Sequence, residues 1–278
     1  ILYSSYFDYY LNLNTYILTL FLSIILSLIF FVISKNADKE IKFYEQLLLI
    51  LIVYILISLL ISVPYFFSNY QLSFVDSYFE SVSGLTNTGF TILTNIKYFD
   101  PTLILWRSSS QWMGGLVFLI FLVLIFSNLK NEYKLTQLVY NPDKTKNLVK
   151  DINSVIVKIF FIYLFLSALI FTLLTFSGVR LFNSLNLAMT ISSLGGFLPS
   201  NDLKEIIKSN PQKFIFSLTL LFSTLNIYLF SSLIIRKGFF KKHYEDILII
   251  ILIFLFSIIL FLSIKNSKII DVLSGVIS

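Results

Sequence analysis

Long runs of Leu, Ile and Phe, separated by short polar connections, set the rhythm of this chain. A helix needs roughly 20 apolar residues to cross the hydrocarbon core of a bilayer. Five runs meet that length and a sixth nearly does: Tyr16–Ser34, Gln46–Phe67, Leu103–Ser127, Val155–Phe176, Phe214–Ile235 and Ile247–Ile264. The pattern predicts an all-α polytopic membrane protein.

The connections are of two alternating kinds. Ser34–Glu45, Asn128–Asn153 and Arg236–Glu245 hold twelve Lys and Arg, whereas the alternate set, Ser68–Thr102, Ser177–Lys213 and Lys265–Ser278, holds seven over more residues. Cytoplasmic loops collect Lys and Arg, so the first set is expected inside. Two outer connections contain an apolar stretch too short to span. Ser73–Leu85 is about 13 residues, roughly 20 Å as helix, against a crossing of about 30 Å. Ser73 and Asp76 have the S-x-x-D capping spacing, and Asp76 and Glu80 are expected near a helix start, where negative charge is favoured. The stretch predicts a short pore-type helix entering from outside, its C-terminal end pointing inward.

A second copy follows at a constant offset. "VDSYFESVSGLTNTGF" (75–90) overlies "FNSLNLAMTISSLGGF" (182–197) without a gap, pairing Ser77 with Ser184, Gly89 with Gly196 and Phe90 with Phe197. Asp271 and Ser278 match the start of a third copy. Repetition at this scale marks architecture, a unit of span, short helix with polar turn, and span. The domains expected are a leading transmembrane helix and cytoplasmic loop (1–42), a first repeat with its cytoplasmic connection (43–153), a second repeat (154–245) and the start of a third (246–278). Ile1 and the closing "VLSGVIS" read as cut ends, with the third glycine expected six residues past Ser278.

Irregular backbone at membrane depth survives only where it is buried in protein or lines water. Here it would present the carbonyls and hydroxyls of Thr86, Asn87, Thr88 and Gly89, and of Ser193, Leu194, Gly195 and Gly196. Glycine takes φ > 0 without steric cost, so successive carbonyls can be aimed alike. Several such turns about one axis would replace the hydration shell of a monovalent cation, with helix C-terminal ends adding negative potential. No Asp or Glu lies within 86–90 or 193–197, as a divalent site would want. No Arg or Lys lies there either, as an anion pore would. Potassium or a similar weakly hydrated monovalent ion is left as the transported ion, and no covalent cofactor is expected.

Composition agrees. The chain is 57 % hydrophobic and only 13 % charged, about half the charge of a soluble domain. Its net charge of +6 is spread over several loops, which fits an anionic leaflet rather than nucleic acid. There is no Cys and a single His, excluding disulfides and thiolate metal sites. His243 is expected to be only solvated. With no H-E-x-x-H and no intramembrane carboxylate cluster, an enzyme is not expected.

"PYFFSNYQLSFVDSYFESVSGLTNTGFTIL", "LWRSSSQWMGGL", "FNSLNLAMTISSLGGF" and "FSTLNIYLFSSLI" together resemble the membrane subunits of the Trk/Ktr superfamily of potassium uptake proteins, closest to the TrkH branch. The resemblance runs from about Lys35 to Ser278. It implies four pore-loop repeats with pseudo-fourfold, potassium-channel-like symmetry, of which this chain would form half the oxygen cage. It also implies a multi-pass protein of the cell (inner) membrane, a homodimer, and a cytoplasmic nucleotide-binding (NAD or ATP) regulatory subunit, for which 128–153 is the expected dock. The family's filter positions fall on Thr86–Gly89 and Ser193–Gly196. Asn87 stands where Thr is frequent, and Leu198–Pro199 follows the second filter.

Arg107 and Gln111 are expected to brace the filter by hydrogen bonds, the alternative for Arg107 being to snorkel to the outer interface. The Gly114–Gly115 pair is expected to permit close helix approach. Phe90 and Phe197 are assigned to filter support. So is Asn226, as an interhelical hydrogen bond or a cavity-lining group. Glu80 is expected to be structural rather than to bind cation. The competing function is an alternating-access symporter, coupled to Na+ or H+, with helices broken at Gly89 and Gly196.

Overall fold

A computed structural model describes residues 1–35, 42–127, 148–224, 248–253 and 255–256. Among them regular structure is helical throughout: α1 (Leu2–Tyr6), α2 (Leu13–Ser34), α3 (Phe43–Phe66), α4 (Phe74–Leu85), a 3-10 turn (Ile96–Tyr98), α5 (Pro101–Ser127), α6 (Leu148–Phe176), α7 (Leu181–Ser193), α8 (Leu203–Ile206) and α9 (Asn210–Thr224). Four helices are long and apolar enough to cross a membrane: Leu13–Ser34, Phe43–Phe66, Pro101–Ile125 and Val155–Phe176. They match the first four expected spans. The fifth is seen as far as Thr224 in α9. Its remainder, most of the sixth, Asn226, His243 and the third copy lie outside the described residues.

Two of these helices start before their apolar runs for local reasons. Glu45 accepts from the Lys42 backbone N–H at 2.8 Å and so starts α3 three residues early. Pro101 opens α5 at a position where its missing N–H costs nothing. On α2, large apolar side chains such as Ile17, Phe21, Ile24 and Leu28 are exposed, leaving Tyr16, Thr15 and Thr19 buried. Exposed apolar side chains along a helix of this length are what a lipid-facing surface requires.

The chain forms two compact units. The first comprises Ile1–Gly115 and Gly195–Asn201, the second Leu116–Leu194 and Asp202–Ser278. In the first, Ile61 and Tyr65 of α3, Leu85 of α4 and Leu103 of α5 form a buried apolar cluster. The Trp106 indole donates to the Ile61 carbonyl at 3.1 Å. On α4 the buried residues Ser77, Glu80, Ser81 and Gly84 recur at helical spacing, while Phe74, Val75 and Phe79 are exposed. Ser77 and Ser81 donate their hydroxyls to the carbonyls of Ser73 and Tyr78, so a polar face can be buried without orphaned donors.

In the second unit, Ile159, Tyr163, Leu166, Ile170 and Leu174 are buried along α6, which packs on α7, where Leu187, Ala188 and Ile191 are buried. Gly178 turns the chain between them at φ 87°. Gln212, near the start of α9, accepts from the backbone N–H groups of Lys208 and Ser209.

Ser73 caps α4 as its spacing predicts. Its hydroxyl oxygen accepts from the Asp76 N–H at 3.1 Å and its O–H donates to the Asp76 carboxylate at 2.7 Å. Ser73→Ala should therefore cost about 1 kcal/mol. That is a fall of about 2–4 °C in the unfolding midpoint of the detergent-solubilised protein. An unchanged midpoint would mean that the cap contributes nothing.

Candidate functional site

α4 ends at Leu85 because the next residues leave helical geometry in a defined way. Asn87 takes φ 56°, its N–H bonds the Gly84 carbonyl at 3.2 Å, and the Thr88 N–H bonds the Ser83 carbonyl at 3.1 Å. This is a Schellman termination, with Asn in the left-handed position more often held by Gly. Gly89 then takes φ 75°. The second turn repeats the pattern at the same offset: Leu194 at φ 55° and Gly196 at φ 82°, while Thr88 and Gly195 between them do not take positive φ. A γ-branched residue such as Leu194 in the left-handed region costs roughly 1–2 kcal/mol, so the conformation is imposed by its surroundings.

Within the first unit the two turns meet glycine to glycine. A Cβ on Gly89 would stand 2.5 Å from the Gly195 carbonyl oxygen, and one on Gly196 would stand 3.9 Å from the Gly89 Cα. Thr86, Thr88 and Gly196 are exposed; Asn87 and Gly89 are half-buried and Gly195 is buried. Ser193 and Leu194 belong to the second unit, where the Ser193 hydroxyl donates back to the Met189 carbonyl at 3.0 Å.

Hydroxyls stitch the first turn internally. Ser83 donates to the Phe90 carbonyl at 2.5 Å and accepts from the Thr88 hydroxyl at 3.1 Å. Thr86 donates to the Val82 carbonyl at 2.7 Å. The second turn is instead held from outside by Gln111, fully buried on α5. Its Nε2 donates to the Gly195 carbonyl, and its Oε1 accepts from the Phe197 N–H at 3.0 Å.

Arg107, one turn earlier on α5, is 1 % exposed and does not snorkel. Its Nε donates to Glu80 Oε1 at 2.8 Å, Nη2 to the Thr91 hydroxyl at 3.1 Å and Nη1 to the Leu198 carbonyl at 3.2 Å. The guanidinium also lies 4.3 Å from the Phe197 ring centre. Glu80 accepts in addition from the Thr91 hydroxyl at 2.9 Å and from the Ile92 N–H at 3.3 Å. Opposite charges thus cancel behind the turns and fix the segments that follow both of them. Expecting Glu80 near the helix start was wrong: only Asp76 lies in the first turn, and Glu80 is the ion partner of Arg107. A lone Arg inside an apolar span calls for a carboxylate, and that demand was the available signal. Gly114 does serve close approach, since a Cβ there would stand 2.1 Å from the Leu85 carbonyl oxygen. The Phe pair is unequal: Phe197 is 1 % exposed under Arg107, whereas Phe90 is 72 % exposed.

Comparison with known proteins bears on what these turns serve. Residues 13–244 match the TrkH family, described as cation transport proteins. An uncharacterized cation transporter of Methanocaldococcus jannaschii is 28 % identical over 206 residues, covering 71 % of this chain and 43 % of that protein. The Trk system potassium uptake protein TrkH of Salmonella typhimurium is 24 % identical over 233 residues, covering 82 % and 48 %. The crystal structure of the potassium transporter TrkH from Vibrio parahaemolyticus superposes with a TM-score of 0.66 at 20 % identity, over 87 % of this chain and 50 % of that one. That likeness is one of fold. The chain spans about half the length of the curated relatives it matches.

Proposed function

Because the chain belongs to the TrkH family of cation transport proteins, we propose that it is a potassium-conducting membrane subunit whose Thr86–Gly89 and Ser193–Gly196 turns supply part of the ion filter. The observation that carries this reading is the apposition of Gly89 with Gly195 and Gly196, each turn having left-handed residues at matching positions. Alternating backbone handedness turns successive carbonyls toward one side, and those oxygens can stand in for water around a dehydrated cation. The first turn sits at the C-terminal end of α4, where the helix dipole adds negative potential. The neighbouring Arg107 is neutralised by Glu80, so no net charge opposes a cation.

Under this proposal 43–153 and 154–245 are the first two of four pore-loop repeats, and 246–278 opens the third. Passive conduction in the cell (inner) membrane then follows from a negative interior. Relatives such as that of Salmonella typhimurium carry the name Trk system potassium uptake protein, and we extend to this chain a system of that kind, with a second copy and a cytoplasmic nucleotide-binding subunit.

The full-length protein in proteoliposomes should take up rubidium. Excess potassium should suppress that flux and equal sodium should not. Flux that requires a sodium or proton gradient would favour a symporter, and absence of rubidium flux would overturn the reading.

A further inference from the structure

The side chain of Asn87 is bonded to the backbone of α5. With its amide oriented as donor and acceptor chemistry requires, the side-chain nitrogen donates to the Gln111 main-chain carbonyl at 2.9 Å. Its side-chain oxygen accepts from the Gly115 N–H, also at 2.9 Å. Gln111 and Gly115 are i and i+4 on α5, the two groups that an unbroken α-helix bonds to each other. The amide of the first turn is therefore set into the hydrogen-bond ladder of α5. Gly114, next to Gly115, lets this stretch of α5 lie against the end of α4, since a Cβ there would stand 2.1 Å from the Leu85 carbonyl oxygen.

We propose that the Asn87 side chain determines ion preference as a positioning residue, without touching the ion, by fastening the first turn to the α5 backbone. The inference rests on the filter reading above. Gln111 becomes the common anchor: its side chain holds Gly195 and Phe197, and its main-chain carbonyl holds Asn87. The spacing of the two turns, and hence the size of ion they fit, is referred to one residue of α5. Asn suits this place doubly. It tolerates the φ of 56° better than most residues, and its amide supplies a donor and an acceptor on adjacent atoms.

Two variants of the full-length protein separate the roles of position 87 in proteoliposomes. Asn87→Gly leaves the left-handed backbone unstrained and removes only the amide. Asn87→Asp keeps the shape and the acceptor but cannot donate to Gln111. Both should lower the rubidium-to-sodium flux ratio about five- to tenfold, the scale of one or two lost hydrogen bonds. Block by external barium should stay unchanged. Stronger barium block in Asn87→Asp would place the side chain in the ion path and overturn the inference. A normal ratio in both variants would also overturn it, provided Gly89→Ala, measured alongside, loses selectivity. If Gly89→Ala is normal too, the filter reading itself fails.

Discussion

Arg107→Leu should yield almost no folded protein. The guanidinium is buried with Glu80, and removing one member of such a pair leaves an uncompensated charge, a cost of about 3–5 kcal/mol. The same change strands the Leu198 carbonyl and removes the cation packed on Phe197. Against a total stability of about 5–15 kcal/mol, that loss should appear as a collapse of the monodisperse fraction recovered in detergent. Arg107→Lys should be intermediate, because one ammonium cannot reproduce three donors aimed at Glu80, Thr91 and Leu198. The combination of Glu80→Gln with Arg107→Met should recover part of the yield, since replacing a buried pair by neutral groups costs far less than halving it. Normal recovery of Arg107→Leu alone would show that the pair does not hold the segments after the two turns.

Gly89→Ala should sharply impair the filter. At φ 75° an alanine pays about 1–2 kcal/mol, and its Cβ would also stand 2.5 Å from the Gly195 carbonyl oxygen. That oxygen cannot retreat freely, because Gln111 holds it. The turns must then separate, and the preference for potassium over sodium should fall about tenfold or more, each 1.4 kcal/mol being a factor of ten. Gly196→Ala provides the contrast. It carries the same backbone strain at φ 82°, but its Cβ would meet nothing closer than 3.9 Å. Selectivity measured by competition of potassium and sodium against rubidium flux should rank wild type above Gly196→Ala, and Gly196→Ala above Gly89→Ala. The reverse order would mean that close approach of the turns is unimportant.

Much of this was legible along the chain because the controlling interactions are local. Apolar runs of membrane length mark α2, α3, α5 and α6. Ser73 and Asp76, three residues apart, mark the start of α4. The constant offset of 107 foretells the matched backbone of 87 with 194 and of 89 with 196. The remainder depends on partners distant in sequence. Arg107 and Glu80 are 27 residues apart, and no periodicity joins them; only the need to neutralise a buried charge does. The partners of the Asn87 amide are not legible along the chain, because nothing local says that a side chain will find the backbone of another helix. Gly114 could be recognised as permitting close approach, but not as facing Leu85 rather than a neighbouring span.

Gln111 serves one turn through its side chain and the other through its main chain. Under the anchoring proposal, a change at Asn87 or Gly195 should therefore shift the reference point of the opposite turn. Across divergent descendants, residues 87, 111 and 195 should drift together as one inherited set, and swapping a single member between lineages should do more harm than exchanging all three.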